Sequence, residues 1–257
     1  MIVASYNVNS IRSRLGLVLE WLKANQPDVL CVQETKVIDA EFPAEPIRAA
    51  GYHVVYRGEK SYNGVALISK AEPKDVRFGL DDGGPADEAR VVAAKVGPLH
   101  VVNTYVPQGR EITHAMYQYK LQWFERLRAY FDRHYTPRKL LLWTGDLNIA
   151  PESMDIHNAD RQADHVCYHI DARRAFATTV AWGFTDVFRK YHPEPGQYTF
   201  FDYRQIGALK KNQGWRIDHL MATRPLAEKS VRAWIDLQPR QAEKPSDHTV
   251  VAAEFDV

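Results

Sequence analysis

Short apolar runs recur along the chain, and several of them end in polar side chains. The clearest run is Leu140 to Trp143, which predicts a strand buried on both faces. Gly145, Asp146 and Asn148 follow it, and Gly145 is expected to leave room for a turn or a close ligand. Side chains two positions apart on an extended strand point the same way, so Asp146 and Asn148 are expected to face one small volume. The alternative is an Asx-turn that only ends the strand.

Elsewhere the apolar positions follow periods typical of strands or of amphipathic helices. Further strands are predicted over residues 2–8, 28–32, 52–57, 64–70, 75–80, 90–96, 99–106, 215–223, 231–237 and 249–256. Helices are predicted near residues 15–22, 44–50, 113–134 and 172–182. Ser10 or Asn9 is expected to cap the first helix, and a Gly- and Asp-rich loop is expected over 81–87. Because hairpins stand beside β–α–β steps, we expect one domain over 1–257, with two mixed sheets and helices outside, and not a doubly wound parallel sheet.

Composition narrows the class of protein without indicating a function. The 257 residues are 45% hydrophobic and 25% charged, as in ordinary globular domains. The formal net charge of +1 gives no argument for nucleic-acid binding, so any such argument depends on local clusters. Cys31 and Cys167 show neither a zinc spacing nor a disulfide framework. The chain shows no signal-peptide pattern and no run of the roughly 18 apolar residues that a membrane span needs, so we expect a cytosolic protein.

Polar side chains gather where the predicted strands end. Besides Asp146 and Asn148, these positions are Asn7, Asn9, Glu34, Asp247 and His248. Another acid, Asp218, interrupts an apolar strand and needs a partner, for which a histidine costs least. Carboxylate and amide oxygens without cysteine favour a hard divalent cation, Mg²⁺ or Mn²⁺. Such a cation beside a carboxylate base and a cationic histidine is suited to phosphodiester hydrolysis.

Some charged positions have a plainer explanation. Glu34 and Lys36 also fit a solvated charged pair on a loop. The stretch 204–216 has no acidic residue and suits contact with a nucleic-acid backbone, or else a solvated loop. Its cations are Arg204, Lys210, Lys211 and Arg216. Four histidines without metal spacing are expected to be ordinary loop residues: His157, His165, His169 and His192.

Seven short motifs follow one another along the chain. They are Asn7-Val-Asn9-Ser-Ile-Arg12, Gln33-Glu34-Thr35-Lys36, Tyr105-Val-Pro107, Gly145-Asp146-Leu-Asn148, Tyr198-Thr-Phe200, Gly214-Trp-Arg-Ile-Asp218 and Ser246-Asp247-His248. In this order and spacing, over essentially the whole chain, the sequence resembles the exonuclease III-type apurinic/apyrimidinic (AP) endonucleases. The Gly-Asp-Leu-Asn element is shared with the wider endonuclease/exonuclease/phosphatase superfamily. The Tyr-Thr-Phe and Gly-Trp-Arg-Ile-Asp elements are specific to its DNA-repair branch.

The resemblance implies a four-layer α/β sandwich, with the site at one end of two packed sheets. The implied catalytic residues are Asn7, Tyr105, Asp146, Asn148, Asp218 and His248. Asp146 would activate the attacking water and Asn148 would orient it, while His248, held by Asp218, and Tyr105 would contact the scissile phosphate. The implied metal site is Glu34, the principal Mg²⁺ ligand, with Asn9 and Asp247 nearby. The implied walls of a pocket for a flipped-out abasic sugar are Phe200, Trp215 and Ile217, and the implied DNA contacts are Lys36, Asn63, Gly64, Gln108, Arg110 and Arg204.

The activity implied by the resemblance is Mg²⁺-dependent cleavage of duplex DNA 5′ to abasic sites, with Mn²⁺ able to substitute, together with trimming of 3′ ends. A monomer that associates with the nucleoid through DNA is implied as well. The sequence leaves uracil-directed cleavage open. The alternatives are a nonspecific nuclease or phosphatase of the same superfamily and a catalytically silent DNA-binding module. Asp146 and His248 both fit the general base, and we favour Asp146 because Asp218 should keep His248 cationic.

Three departures from the family pattern limit what the resemblance implies. Asn9 stands where some members have Asp, which removes one formal charge from the metal site. The loop from Gln108 to Arg110 is shorter than in some relatives, so the place of Arg110 in the DNA contact is open. Arg204 replaces an apolar residue that wedges into the duplex in some members.

Overall fold

The strands fall close to the predicted runs. The computed structural model describes residues 1–84 and 89–257, and residues 85–87 of the predicted Gly- and Asp-rich loop lie outside the described residues. Within the described residues the strands are β1 (Ile2–Asn7), β2 (Val29–Gln33), β3 (His53–Arg57), β4 (Val65–Ser69), β5 (Lys74–Phe78), β6 (Val91–Val96), β7 (Leu99–Tyr105), β8 (Leu141–Asp146), β9 (Phe184–Asp186), β10 (Asp218–Thr223), β11 (Ser230–Asp236) and β12 (Val250–Phe255).

Helices connect some of these strands, whereas within the described part of the chain β3 to β7 follow one another without a helix. The α-helices of the described residues are α1 (Ile11–Asn25), α2 (Ala44–Ala49), α3 (Ala115–His134), α4 (Ile170–Val180), α5 (Val187–Tyr191), α6 (Arg224–Ala227) and α7 (Gln238–Gln241). Short 3₁₀ turns lie at Asp39–Glu41, Ser153–Asp155 and Ala159–Arg161. The two long connections that the sequence predicts as amphipathic helices, α1 and α3, each pack one apolar face on a sheet.

The strands form two mixed sheets, as predicted. One sheet has the order β11-β12-β1-β2-β4-β3, and the other has the order β5-β6-β7-β8-β10-β9. Each sheet contains one parallel pair, β1 with β2 and β7 with β8, and the other pairs are antiparallel. The first strand of each parallel pair is joined to the second through a helix, α1 or α3, as a β–α–β step requires.

Three apolar layers hold the sheets and helices together. Between the sheets, Val3 and Cys31 of one sheet pack with Leu142 and Leu220 of the other. A second cluster lies between the first sheet and α1 and α2, and a third lies between the second sheet and α3 and α4. The order is therefore helices, sheet, sheet, helices, which is the predicted four-layer α/β sandwich.

Several predictions about the elements differ from the structure. The strand predicted over 215–223 begins only at Asp218, because Trp215 pairs with Ile156 and Phe200 instead of with β8. Asp218 is thus the first residue of its strand and does not interrupt it. Ser10 lies at the start of α1, but its side chain makes no capping hydrogen bond. The sequence pattern gave no prediction for β9, α5, α6 or α7, which are too short for a periodic signal.

Within residues 1–84 and 89–257, no helix combines the length and the apolar character that a membrane crossing requires.

Candidate active site

The topology of the sheets brings the polar strand ends to one edge of the sandwich. Asn7 ends β1 opposite Gln33 of the parallel strand β2, so Glu34 emerges beside it. β12 runs antiparallel to β1, and His248 therefore arrives at the same edge just before that strand begins. Both sheets reach this edge, which is why residues distant in sequence meet there.

The second sheet contributes the other half. Asp146 ends β8 and lies opposite Tyr105 of β7 on one side and Asp218 of β10 on the other. The Asn7 side chain joins the two halves, because its amide nitrogen donates to Glu34 Oε1 and to Asp146 Oδ2, each at 2.9 Å. The prediction that these strand ends converge is therefore correct.

Both Asn-containing strand ends are Asx-turns. The backbone nitrogen of Asn9 donates to Asn7 Oδ1 at 3.0 Å, and that of Asn148 donates to Asp146 Oδ1 at 3.0 Å. Asn9 and Asn148 have φ values of 43° and 49°, in the left-handed region. The backbone is thus not extended here, contrary to the expectation. The two readings of Asp146 and Asn148 are nevertheless both correct, since Asn148 Nδ2 also lies 3.3 Å from Asp146 Oδ2.

Gly145 serves packing between strands and leaves no room for a ligand. Its φ is 134°, and a Cβ atom at this position would lie 1.9 Å from the carbonyl oxygen of Thr104 on the neighbouring strand. Only glycine fits in β8 directly before Asp146, so the expected turn or ligand approach is wrong at this residue.

His248 is held between two carboxylates. Its Nδ1 atom lies 2.8 Å from Asp218 Oδ2 and its Nε2 atom lies 3.8 Å from Asp146 Oδ2. Burial alone would lower the pKa of His248, but the charges of Asp218 and Asp146 outweigh it and raise that pKa to about 10. The imidazole is therefore cationic at neutral pH, and a cationic imidazole has no lone pair for a metal ion.

The pKa of Asp146 is displaced in the direction that suits a base working near neutral pH. Burial raises it, and the Asp218 and Glu34 charges raise it further, while cationic His248 lowers it, so that the pKa lies at about 7. Tyr105 also lies close to Glu34 and Asp146. Burial, followed by these two charges, raises the pKa of Tyr105 well above its usual value, so its hydroxyl remains a donor.

The Glu34 carboxylate and the Asn9 amide oxygen converge on a cation. Lys36 Nζ lies 2.7 Å from Glu34 Oε2 and 2.5 Å from Asn9 Oδ1. The pKa of Glu34 is lowered, because Lys36 and the Asn7 hydrogen bond outweigh the effect of burial. Asp247 Oδ1 accepts a hydrogen bond from Asn9 Nδ2 at 3.0 Å. This donor set, a carboxylate and an amide oxygen already holding an ammonium group, fits a hard cation.

Among the described residues, one group of acids and histidine has ligand atoms within 4.8 Å of one another: Glu34, Asp146 and His248. Asp247, predicted as a metal ligand, is not in this group. Within this group, His248 is cationic and the Asp146 carboxylate already accepts from Asn7 and Asn148.

A pocket opens directly beside these groups. Its volume is about 340 Å³, and the predicted wall residues Phe200, Trp215 and Ile217 line it together with Asp146 and His248. The Phe200 ring lies 5.0 Å from the His248 ring. Phe200 and Trp215 pair through an isolated β-bridge, which makes them neighbours in the pocket wall.

The residues predicted to contact DNA have different local roles, and two of them, Gln108 and Arg204, line the pocket. The backbone nitrogens of Thr35 and Lys36 donate to the carbonyl oxygens of Gly64 and Asn63, so this turn supports the Glu34 loop. Gln108 lines the pocket, and Arg110 is exposed two residues farther along. Arg204 also lines the pocket, but its guanidinium donates to the carboxylate of Asp202 from Nε at 3.0 Å and from Nη2 at 2.7 Å.

Sequence reasoning missed several pocket residues. Gln162, His165, Cys167, Asp202 and Gln205 line the pocket. His165 lies in a loop, as expected, but it also lines the pocket and its ring lies 4.3 Å from the Trp215 ring. No spacing in the sequence could have indicated this contact, since the pairing joins two irregular segments.

Sequence reasoning also missed Lys120. It is fully buried in α3, and its ammonium group donates to the carbonyl oxygens of Asn148, Val166 and Gln108 at 2.6, 2.8 and 3.2 Å. It thereby ties three loops of the site together. A lysine within the aromatic stripe of α3, three residues after Tyr117, was the available signal.

Arg216 lies inside the protein. It is 1% exposed, and its guanidinium lies 2.7 Å from Asp155 Oδ1 and 2.8 Å from Asp186 Oδ2. Its predicted part in a basic stretch facing nucleic acid is therefore wrong. Lys210 and Lys211 of that stretch are exposed.

Comparisons with known proteins agree with this architecture. The profile of the Endonuclease/Exonuclease/phosphatase family matches residues 4–248. The sequence is 35% identical to exodeoxyribonuclease III of Haemophilus influenzae over 263 aligned positions, which cover 98% of each chain.

Two solved structures are similar over their full length. An AP endonuclease from Archaeoglobus fulgidus has 52% sequence identity and a TM-score of 0.98, with 100% of both chains covered. A 3′ phosphatase from Neisseria, bound to a product DNA hairpin, has 36% identity and a TM-score of 0.95, again with 100% of both chains covered.

Proposed function

Since the chain belongs to the endonuclease/exonuclease/phosphatase family and is a DNA-repair nuclease, we propose that it hydrolyses the phosphodiester bond 5′ to abasic sites in duplex DNA. The observation that carries this proposal is the position of Asp146 and His248 on the wall of a pocket lined by Phe200, Trp215 and Ile217. Such a pocket offers apolar surface to a sugar without a base, next to groups that can act on its 5′ phosphate.

The proposed metal is Mg²⁺, with Mn²⁺ as a substitute. Glu34 would be its principal ligand, with Asn9 and Asp247 in its surroundings. When bound, a divalent ion supplies positive charge that offsets the charge developing on the phosphate. In support, the oxygens of Glu34 and Asn9 already hold the Lys36 ammonium group.

Asp146 is proposed to take the proton of the attacking water, and Asn148 to orient that water. A carboxyl whose pKa lies at about 7 is suited to this step, because it is a stronger base than an exposed one and is still partly ionised at neutral pH. Asn7 orients the Asp146 carboxylate through the 2.9 Å hydrogen bond.

His248 and Tyr105 are proposed to bind the phosphate. Asp218 orients the imidazole through its 2.8 Å contact and favours the cationic form, which would oppose the growing charge on the phosphate oxygens. The Tyr105 hydroxyl, kept protonated, would donate a hydrogen bond. A cationic His248 cannot also accept the proton of the water, so Asp146 remains our choice for the base.

We further propose that the enzyme works as a monomer and as one domain over 1–257, because a single chain supplies both halves of the site. Around the site, the residues proposed to contact DNA are Lys36, Asn63, Gly64, Gln108, Arg110 and Arg204. The cytosolic, nucleoid-associated location stays a prediction.

Removal of blocking groups from 3′ ends is a second candidate activity. The similarity to a 3′ phosphatase bound to a DNA hairpin favours it, since the same phosphate-binding groups would be used.

One set of substrates tests these proposals. Duplex oligonucleotides that carry an abasic analogue, a uracil, a 3′ phosphate or no lesion are incubated with Mg²⁺ or with a chelator. We expect fast cleavage 5′ to the abasic analogue and none with the chelator. Equal cleavage of the undamaged duplex would instead indicate a nonspecific nuclease. If none of the duplexes were cleaved, the alternative of a catalytically silent DNA-binding module would be favoured.

A further inference from the structure

Lys36 contacts two of the residues that are proposed to hold or surround the metal ion. Its ammonium group lies 2.7 Å from Glu34 Oε2 and 2.5 Å from Asn9 Oδ1, so it uses one oxygen of each proposed ligand. The other Glu34 oxygen accepts from Asn7 at 2.9 Å. Both Glu34 oxygens are therefore engaged while the ammonium group remains in place.

The backbone directs Lys36 toward this position. Glu34 and Lys36 have φ values of 54° and 53°, in the left-handed region that costs energy for residues other than glycine. The turn is held from both sides, because Ser10 N donates to the Glu34 carbonyl oxygen at 2.7 Å and Lys36 N donates to the Asn63 carbonyl oxygen at 2.9 Å. A strained turn held so firmly indicates that the direction of both side chains matters.

The charges make the ammonium group and a divalent ion competitors. Asn9 is neutral, so the negative charge in direct contact with the ammonium group comes from Glu34. A divalent ion on the same oxygens would stand a few ångströms from an ammonium group, and two cations at that separation repel each other. The Lys36 side chain is 30% exposed, so its ammonium group can move away into solvent.

We propose that Lys36 is an internal competitor for the metal site. Its ammonium group holds the oxygens of Glu34 and Asn9 in the metal-free protein and must leave them before a divalent ion binds. The released ammonium group is then free for a DNA phosphate, so metal binding and DNA binding support each other. This inference depends on the proposed function, in which Glu34 binds the ion.

The direct test measures metal binding without DNA or turnover. Mn²⁺ alone is titrated into the protein, and the free ion is followed by electron paramagnetic resonance. Lys36→Met keeps the apolar length of the side chain and removes its charge. Lys60→Met is the matched control, because this substitution removes the same charge. Lys60 is exposed on the loop that leads to Asn63. Glu34→Gln reports whether the bound ion uses the proposed ligand.

We expect Lys36→Met to lower the Kd for Mn²⁺ about ten-fold, a size typical of coupling between two sites. Lys60→Met should leave the Kd unchanged, and Glu34→Gln should abolish tight binding. An unchanged or higher Kd in Lys36→Met, with tight binding in the wild-type protein, overturns the competition alone. Absence of binding in the wild-type protein and in Lys36→Met overturns the metal site and the competition with it.

A measurement on the wild-type protein avoids any folding defect of the variant. Lysine acylation by a water-soluble ester is mapped by mass spectrometry with and without saturating Mg²⁺. Release from Glu34 should make Lys36 react several-fold faster with Mg²⁺, while Lys60 reacts equally in both samples. Equal reactivity of Lys36 in both samples overturns the proposal.

Discussion

Replacement of Arg216 by methionine should lower the free energy of unfolding and leave the salt dependence of DNA binding unchanged. The side chain is 1% exposed and pairs with Asp155 and Asp186 at 2.7 and 2.8 Å. Removal of one partner from a buried ion pair costs about 3–5 kcal/mol, because the remaining charge stays in a dry environment.

The structure favours the lower end of this range. Asp155 keeps a second guanidinium, that of Arg189, whose Nε lies 3.2 Å from Asp155 Oδ1. Asp186 loses its contact with Arg216 but is 19% exposed and still accepts from the backbone nitrogen of Arg189 at 3.2 Å. We therefore expect a loss of about 3 kcal/mol, which for a chain of this size lowers the Tm by about 6–12 °C.

The assay combines thermal unfolding at neutral pH with duplex binding at several salt concentrations. Lys211→Met is the control, since Lys211 is an exposed cation of the same basic stretch. The control should keep its Tm and, where Lys211 meets a phosphate, reduce the salt slope by about one. If Arg216→Met kept the wild-type Tm and reduced the salt slope instead, the buried network would have no part in stability and the residue would be a phosphate contact.

Three other changes test separate parts of the structure. Asp146→Asn should slow abasic-site cleavage by about 10²–10⁴-fold, because the variant can no longer take the proton of the attacking water. Single-turnover cleavage rates and duplex binding measure this effect. Lost binding at an unchanged cleavage rate would contradict the assignment. Asp155 and Asp186 have lowered pKa values because arginines outweigh their burial. Their contribution to stability is therefore complete above the ordinary carboxyl value of 3.8 and is lost as the pH falls below it; urea unfolding at pH 7 and at acid pH measures this, and equal stability would be the contrary result. Ile206 is 91% exposed and follows the pocket residue Gln205. Ile206→Ser should therefore keep the free energy of unfolding within about 0.5 kcal/mol of the wild-type value and weaken binding of abasic duplex. Unchanged binding would show that this side chain does not contact the DNA.

Local sequence patterns predicted the long helices and the strands other than β9, because each of these elements depends on a few neighbouring residues. The apolar run before Asp146 is buried as predicted, and the strand ends meet at one edge. The position of Arg216 could not be predicted in this way. Its partners, Asp155 and Asp186, lie 61 and 30 residues away, and no local signal distinguishes a buried arginine with such partners from a solvated one.

The fine geometry of the site was also beyond a local pattern. Asn148 and Asn9 are not extended, since each turns back through an Asx hydrogen bond. Lys36 contacts Glu34 across a turn in which both residues have positive φ values. His165 meets Trp215 through two irregular segments. These contacts depend on backbone conformations and long-range pairings that hydrophobic periodicity does not encode.

Because the site is divided between two sheets, enzyme activity can report in refolding experiments when the two sheets come together. Asn7, Glu34 and His248 come with the sheet that contains β1, whereas Tyr105 and Asp146 come with the sheet that contains β8. A folding intermediate with only one sheet formed would lack half of the reacting groups. The regain of cleavage after dilution from denaturant should therefore time the docking of the two sheets, whereas circular dichroism would report the earlier formation of each sheet.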